Sequence, residues 1–260
     1  MPLGAFRLNT LSKAAGGASF VSATGGVVTD INVSGVNYRL HEFTTSGTFS
    51  VQTPGVVELF AVGGGGSAFY YSGPGYGGEG GGGGGVIDQT DIEVATQDYN
   101  IIIGVGGVPG RYGSSPPQIS GTNTTALGFT AGAGGSSGLR SGGRSGLPQN
   151  YAGSSGANYN NNSYDSNGPG GGAGGPATPS SYSYQTTGTI SGGPGYLSDF
   201  TSVSTYYAAG GRGRTTSTAP GQTHVNGLGW DSNGYGMGTS SATSASKNAT
   251  DGVVYIRYLI

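Results

Sequence analysis

The chain has 260 residues, of which 58 are glycine, 12 are proline and none is cysteine, and its formal net charge is −2. Charged residues make up only 8% of the sequence, which excludes the dense basic surface of a non-specific nucleic-acid binder. Disulfides and Cys-ligated zinc are excluded, no apolar run of 18 residues predicts membrane insertion, and glycine lacks the strict third-position repeat of collagen.

Residues 1–35 differ from the rest and predict an N-terminal arm. Apolar and small residues alternate there without a strand pattern, and residues 8–15 would form only a helix too short to be stable alone. Two interpretations remain open: a terminus without fixed structure, or a docking arm that folds onto a partner.

Strand-like segments follow from residue 36. Residues 38–43, 48–51 and 56–62 are rich in β-branched and aromatic residues, and a Thr-Thr-Ser-Gly turn separates the first two. Further strands are expected at 86–87, 91–94 and 99–105. The last is the most hydrophobic and is predicted to be a central strand covered on both faces.

Two runs, 63–66 and 80–85, consist of glycine alone. Such runs are either flexible linkers or ordered extended threads of the polyproline-II type, in which six residues span roughly 19 Å. Because the chain has little apolar material for a core, dense backbone hydrogen bonding is the expected compensation, and we favour ordered threads.

Residues 106–251 form a long excursion in which glycine clusters alternate with polar and aromatic segments. Residues 252–259 are again strongly strand-like and are expected to return and close the sheet. The predicted fold is therefore all-β, with β-sandwich-like strands at 38–62, 86–105 and 252–259 and long glycine-rich, polyglycine-II-like loops. The expected domains are an arm, 1–35, and a glycine-rich β domain, 36–260.

Tyrosine is unusually frequent relative to phenylalanine, because the chain has 17 tyrosines and 8 phenylalanines. Tyrosine combined with Ser, Gly and Asn is the composition of antibody binding loops. An alternative is that the rings cap glycine threads or pack between subunits. The aromatic candidates for recognition are Tyr70, Tyr71, Tyr76, Tyr112, Tyr151, Tyr159, Tyr164, Tyr182, Tyr184, Trp230 and Tyr235.

Arg140 and Arg144 lie in glycine-serine segments and are candidates for contacting phosphate or acidic sugars. Solvated surface charge, or pairing with Asp165 or Asp199, is an equally open interpretation. His41 and His224 have no convincing catalytic or metal-binding partners in the sequence, and the acidic residues are scattered. We therefore expect no enzymatic activity, no metal and no cofactor.

Three stretches of the chain together resemble the glycine-rich domain of phage tail-fibre and related surface proteins. They are Phe43-Thr-Thr-Ser-Gly-Thr-Phe-Ser-Val51, the strand that runs into Gly63, and the terminal Gly252-Val-Val-Tyr-Ile-Arg-Tyr258. The glycine clusters with variable loops also resemble the tip adhesins of T-even-like phages. In those proteins polyglycine-II threads form a sandwich and the loops contact the host receptor. The opening Leu3-Gly-Ala-Phe-Arg-Leu-Asn9 is similar to N-terminal arms of marine phage virion proteins.

This resemblance implies a virion structural protein, a tail fibre or tip adhesin, located in the virion. Its expected partners are copies of itself, as a homotrimer because fibres usually build as trimers, other tail proteins, and a host-surface glycan or outer-membrane protein. The residues expected to anchor the arm are Phe6, Arg7, Leu8 and Leu11. The alternatives are a capsid decoration or fibre-shaft building block that binds only virion subunits, and a secreted cell-surface glycine-rich protein.

Overall fold

The fold is an all-β sandwich joined to a lattice of extended glycine threads. The computed structural model describes residues 20–70, 79–111, 117–137, 143, 145–149, 169–177, 188–213, 222–228, 234–239 and 248–260, and within these ranges it contains strands and no helix. The strands are β1 Ser22–Thr24, β2 Val27–Val33, β3 Val36–Phe43, β4 Gly47–Thr53, β5 Gly55–Val62, β6 Phe69–Tyr70, β7 Val86–Val94, β8 Asp98–Ile101, β9 Gly110–Arg111, β10 Thr124–Ala126, β11 Phe129–Ala131, β12 Gly188–Ser191, β13 Tyr196–Ser198, β14 Thr205–Tyr207, β15 Gln222–Val225 and β16 Val253–Leu259.

The main sheet has five antiparallel strands in the order β2-β3-β16-β5-β7. The last strand, β16, lies in its centre, with Val254 opposite Phe43 of β3 and Val253 opposite Val62 of β5. The predicted closure of the sheet by the C-terminal strand is therefore confirmed. Buried Val and Ile alternate along β16 with residues of the opposite face, as expected for a strand covered on both sides.

A second sheet, β1-β4-β8, covers one face of the main sheet and completes the sandwich. Phe49 and Ile101 from the small sheet are fully buried with Leu59 and Ile256 from the large one. This side-chain core holds the strands together by excluding apolar surface from water.

The other face of the main sheet is covered by part of the long excursion. Phe60 lies with its ring centroid 4.8 Å from that of Tyr207 and 5.6 Å from that of Phe200. Arg257 fastens this covering segment, because its guanidinium contacts Glu58 at 2.6 Å, donates to the Phe200 carbonyl at 2.6 Å and lies 4.1 Å from the Phe200 ring centroid. The main sheet is thus buried on both sides.

The boundary of the N-terminal arm lies earlier than the sequence predicted. Residues 20–35 do not belong to an arm, because β1 joins the small sheet and β2 joins the main sheet. Gly25 and Gly26, with φ of 116° and 65°, make the crossover between the two sheets. Residues 1–19, including the expected helix at 8–15, lie outside the described part.

The prediction of a central strand at 99–105 was wrong. Strand β8 ends at Ile101 and lies at the edge of the small sheet. Beyond it the backbone passes so close to its neighbour that a Cβ on Gly104 would lie 2.1 Å from the Thr122 carbonyl oxygen. The glycines at 104, 106 and 107 therefore turn this apolar segment into a lattice thread.

Candidate functional site

The glycine runs form an ordered lattice whose hydrogen bonds repeat every three residues. The N–H groups of Gly63 and Gly66 donate to Gly85 and Gly82 of one neighbour, whereas those of Gly64 and Gly65 donate to two other segments, at Thr122 and Thr250. A thread with three residues per turn directs successive N–H groups to three different sides. This pattern is that of polyglycine II.

Solvent exposure shows the same period. Along the thread that follows β8, Ile102 and Val105 are exposed and Val108 is partly exposed, while the two residues between each of these are buried. Every third side chain of an outer thread therefore points away from the lattice.

Two central threads, 63–68 and 80–85, organise the lattice. The first exchanges backbone hydrogen bonds with 80–85, 104–110, 117–122, 132–137, 234–239 and 248–252. The second does so with 63–68, 132–137, the 143–147 segment, 169–173, 208–213 and 234–239. Each central thread thus has six neighbours among the described segments, as hexagonal packing requires.

Close backbone approach explains why these positions are glycine. A Cβ added to Gly65 would lie 1.9 Å from the carbonyl oxygen of Met237, and one added to Gly83 would lie 1.9 Å from that of Ala208. Both distances are far inside van der Waals contact. Side chains are excluded from the central threads by neighbouring backbone, which has no freedom to move aside.

The register of the hydrogen bonds gives the lattice a direction. Thread 63–70 leaves the sandwich from β5, and its neighbours are aligned with it: Gly110 donates to Ala68, Ser137 to Ser67, and Thr239 to Gly66. The described residues at the end of these threads away from the sandwich, which we call the distal end, flank five segments that lie outside the described part. They are 71–78, 112–116, 138–142, 214–221 and 240–247.

One described residue among those predicted for recognition lies at the distal end. Tyr70 ends β6 there, and Tyr71, Tyr76, Tyr112 and Arg140 belong to these five segments, which lie outside the described residues. Two further segments, 150–168 and 178–187, are not among the described residues. Also outside the described part are the predicted residues of those two segments and of the neighbouring thread: Arg144, Tyr151, Tyr159, Tyr164, Tyr182 and Tyr184.

Trp230 and Tyr235 are separated from the others. Trp230 lies outside the described part, and the described residues on either side of its segment, Leu228 and Gly234, lie beside the sandwich. Tyr235 is half-buried against the core between the main sheet and the part of the excursion that covers it, and burial, followed by the nearby Glu42 carboxylate, raises its pKa. Tyr196 is also partly buried against this core, and burial raises its pKa to about 12.

Polar side chains that the sequence did not single out lie near the distal end. The hydroxyls of Ser67, Ser136 and Ser120 form a chain with separations of 2.8 and 2.9 Å. The Gln118 amide donates to the carbonyl oxygens of Ser67 and Ser137. These contacts tie three threads together at the distal end, and the only sequence signal for these residues was their position beside glycine clusters.

The chain enters the fold at the opposite end. Strand β1 pairs antiparallel with β4, with Ser22 opposite Thr53, and the exposed Phe20 precedes it on the side away from the lattice. The predicted anchoring residues Phe6, Arg7, Leu8 and Leu11 lie in the preceding segment, outside the described part. Phe20 and the distal end therefore lie at opposite ends of the described structure.

The described part of the chain shows neither a cluster of metal-binding side chains nor a membrane-spanning helix. No group of three or more His, Asp or Glu side chains there is placed to hold a metal ion. No helix there is long and apolar enough to cross a membrane.

Comparison with known proteins identifies the domain. A search of curated proteins finds no match to this chain. The family model described as a glycine-rich domain matches residues 44–259, which include strands β4 to β16 and both central threads. The chain therefore belongs to the glycine-rich domain family.

Proposed function

We propose that this protein is a structural component of a phage virion, a tail fibre or tip adhesin that presents its distal segments to a glycan or protein on the host surface. The single observation that carries the proposal is the polarity of the molecule. Phe20, which precedes β1, lies at one end of the described structure, and the thread ends that flank five further segments lie at the other. An attachment protein needs this separation of anchor from contact surface.

The composition of the distal segments supports recognition by contact. Tyr71, Tyr76 and Tyr112 lie among Gly, Ser and Pro, and Tyr offers broad amphipathic surface at a low entropic cost. Because the threads beneath are fixed by backbone hydrogen bonds, the ends of each segment are held in place. The position of the segment ends is then independent of the residues between them.

A building block that binds only other virion subunits is the second candidate. Its supporting observation is that Tyr196, Tyr207, Tyr235 and Tyr255 pack against the sheet and are structural. If the distal tyrosines pack between copies in the same way, the distal end is an assembly surface.

Adsorption of the purified full-length protein to candidate host cells, in competition with whole-phage attachment, tests the proposal. We expect saturable binding that blocks attachment. Replacing Tyr71, Tyr76 and Tyr112 together by Ala should weaken binding at least tenfold, since aromatic contacts dominate such interfaces.

Tyr206→Ala is the matched control, because Tyr206 is a partly exposed tyrosine of β14 beside the sandwich. It should leave binding unchanged. No saturable binding by folded wild-type protein on any cell that the phage infects would overturn the adhesin proposal in favour of the building block.

A further inference from the structure

One face of the main sheet has a band of apolar side chains that the described part of the chain leaves partly exposed, and we call this band the basal strip. It lies at the end of the sheet away from the lattice and crosses four of the five strands. Its members are Ile31 and Val33 of β2, Val36 and Tyr38 of β3, Val56 of β5 and Leu259 of β16. The exposed fractions are 42% for Val36, 46% for Leu259 and 50% for Val56.

The strand register makes the basal strip continuous. Leu259 lies opposite Tyr38, and Tyr38 lies opposite Ile31. Val33 and Val36 form the next pair, beside the turn that joins β2 to β3. Side chains opposite one another on neighbouring strands are in contact distance, so these residues form one apolar surface.

Arg257 marks the covered border of the strip. It lies opposite Glu58, so alternation along both strands puts Leu259 and Val56 on the same face, one row farther from the lattice. The guanidinium of Arg257 lies 4.1 Å from the ring centroid of Phe200, which belongs to the segment that covers this face. The covering segment therefore reaches the Arg257 row and leaves the next row exposed.

The chain enters the fold beside the basal strip. Ser22 pairs with Thr53, and these residues lie two positions after Phe20 and three positions before Val56. With at most about 3.6 Å per residue and about 5.5 Å between paired Cα atoms, Phe20 and Val56 lie within about 24 Å of each other. The nine residue steps from Leu11 to Phe20 span up to roughly 30 Å, so Leu11 is able to reach the strip.

Residues 1–19, which precede the described part, match the strip in chemistry. Their large apolar residues include Leu3, Phe6, Leu8 and Leu11. Their only charged side chains, Arg7 and Lys13, are basic. The charge beside the strip is acidic, because the exposed Glu93 of β7 lies opposite Val56. Contact between the two would remove apolar surface from water and bring opposite charges together.

We infer that segment 1–19 folds back onto the basal strip of its own chain, with Phe6, Leu8 and Leu11 in contact with the main sheet. Because the segment is tethered at Phe20, its effective concentration at the strip is on the order of millimolar, far above that of a second molecule in dilute solution. Residues that the sequence predicted as virion anchors thereby have a partner within the chain. The inference concerns the end opposite the distal segments and is independent of the proposed attachment function.

Thiol labelling of the full-length protein tests this docking, because the chain has no native cysteine. Leu259→Cys reports on the strip, and Val105→Cys reports on an exposed lattice position that should be labelled rapidly in every chain. Labelling of Leu259→Cys should become about tenfold faster or more when three apolar residues of the segment are replaced together, since a strip covered about nine-tenths of the time is protected by that factor. These replacements are Phe6→Ser, Leu8→Ser and Leu11→Ser.

The matched control replaces three polar residues of the same segment: Asn9→Ala, Thr10→Ala and Ser12→Ala. Labelling of Leu259→Cys should stay slow in this control. Circular dichroism of each variant should remain that of the wild type. Equal labelling rates in the three chains, whether all fast or all slow, would overturn the inference, because the apolar residues of the segment would then not protect the strip.

Protein concentration separates the tethered segment from any other occupant. Protection by segment 1–19 of the same chain should persist when the protein is diluted about a hundredfold, because the tether fixes the effective concentration. Protection that is lost on dilution would mean that a second molecule covers the strip, and this result would also overturn the inference. Cell adsorption is measured separately, so the attachment proposal stands or falls on its own.

Discussion

The sandwich and the lattice bury their chain in physically different ways. In the sandwich, the buried volume is filled by large side chains such as Phe49, Leu59 and Ile256. In the lattice, threads such as 80–85 are equally buried but carry no side chain, and each is held by backbone N–H groups that donate to neighbouring threads. A chain with little apolar material can therefore reach full burial, provided that its backbone groups are paired.

Changes in side-chain size have opposite effects on the stability of the two regions. Removing carbon atoms damages the sandwich because it leaves a cavity. Adding a carbon atom damages the lattice because backbone occupies the space. Glycine is destabilising in strand interiors for entropic reasons, yet it is the only residue that permits the observed thread spacing.

Deletion of residues 253–260 should have the largest effect. It removes β16 from the centre of the main sheet and separates β3 from β5, so we expect loss of the cooperative unfolding transition. We expect the lattice to lose its order together with the sandwich, and hydrogen exchange would show this as a loss of protection at the amides of 80–85. Protection retained at these amides would mean that the lattice folds alone and would contradict the expectation.

Gly83→Ala should have the next largest effect. Its Cβ would meet the Ala208 carbonyl oxygen at 1.9 Å, and neither backbone can yield without breaking hydrogen bonds. We expect destabilisation above the roughly 1–3 kcal/mol typical of overpacked side-chain cores, measured by denaturant unfolding.

Gly47→Ala is the matched control. Around its added Cβ the nearest atoms belong to the Phe43 ring, at 3.7 and 3.8 Å, which is ordinary contact. Its stability should stay close to that of the wild type. Equal loss of stability in both variants would mean that the close backbone approach does not decide the cost.

Ile256→Ala tests the sandwich in the opposite direction. Ile256 is fully buried on β16, and its truncation leaves a cavity against Leu59 on the neighbouring strand. We expect a loss of about 2–5 kcal/mol in the free energy of unfolding. Ile256→Val should cost about 0.5–1.5 kcal/mol, and a larger cost for Val than for Ala would contradict a cavity mechanism.

His41 should give a smaller, pH-dependent effect confined to the sandwich. Its Nδ1–H donates to the Gly25 carbonyl at 2.7 Å, and its Nε2 accepts from the Tyr258 hydroxyl at 3.1 Å. Burial lowers the pKa of His41, so the unfolded chain, with a pKa near 6.5, binds the proton more readily than the folded one. Stability should therefore be greatest above about pH 6.5 and fall as the pH decreases below it.

His41→Asn isolates this contribution. The difference in unfolding free energy between pH 8 and pH 5 should be smaller in the variant than in the wild type. His224 is present in both proteins and cancels in the comparison. An unchanged pH dependence would show that His41 does not titrate differently in the folded and unfolded states.

Sequence reasoning predicted the strands that a side-chain pattern specifies. Strands β3, β4, β5 and β16 lie where Val, Phe and Tyr predicted them, and the ordered nature of the 63–66 and 80–85 runs was favoured. Sequence reasoning wrongly extended the strand beyond β8, because the hydrophobicity of this segment does not reveal that Gly104 lies against the backbone of Thr122. Thread neighbours depend on contacts between residues far apart in the chain, and glycine carries no side-chain signal of its partner.

The same reason limited the prediction of the site. Tyr70 and Tyr235 occur in similar polar and glycine-rich surroundings, yet one ends a thread at the distal end and the other packs against the main sheet. Only the direction of each thread distinguishes them.

The hexagonal surroundings of the two central threads have a consequence for how such a protein can diversify. Further threads can be added at the rim by bonding to threads outside the central pair, as 191–195 does with 169–173 and 208–213, and as 225–228 does with 208–213. Each addition widens the distal end by one thread and leaves the two central threads untouched. The area of the distal end is thereby a countable property of the chain, set by the number of threads and not by the size of a hydrophobic core.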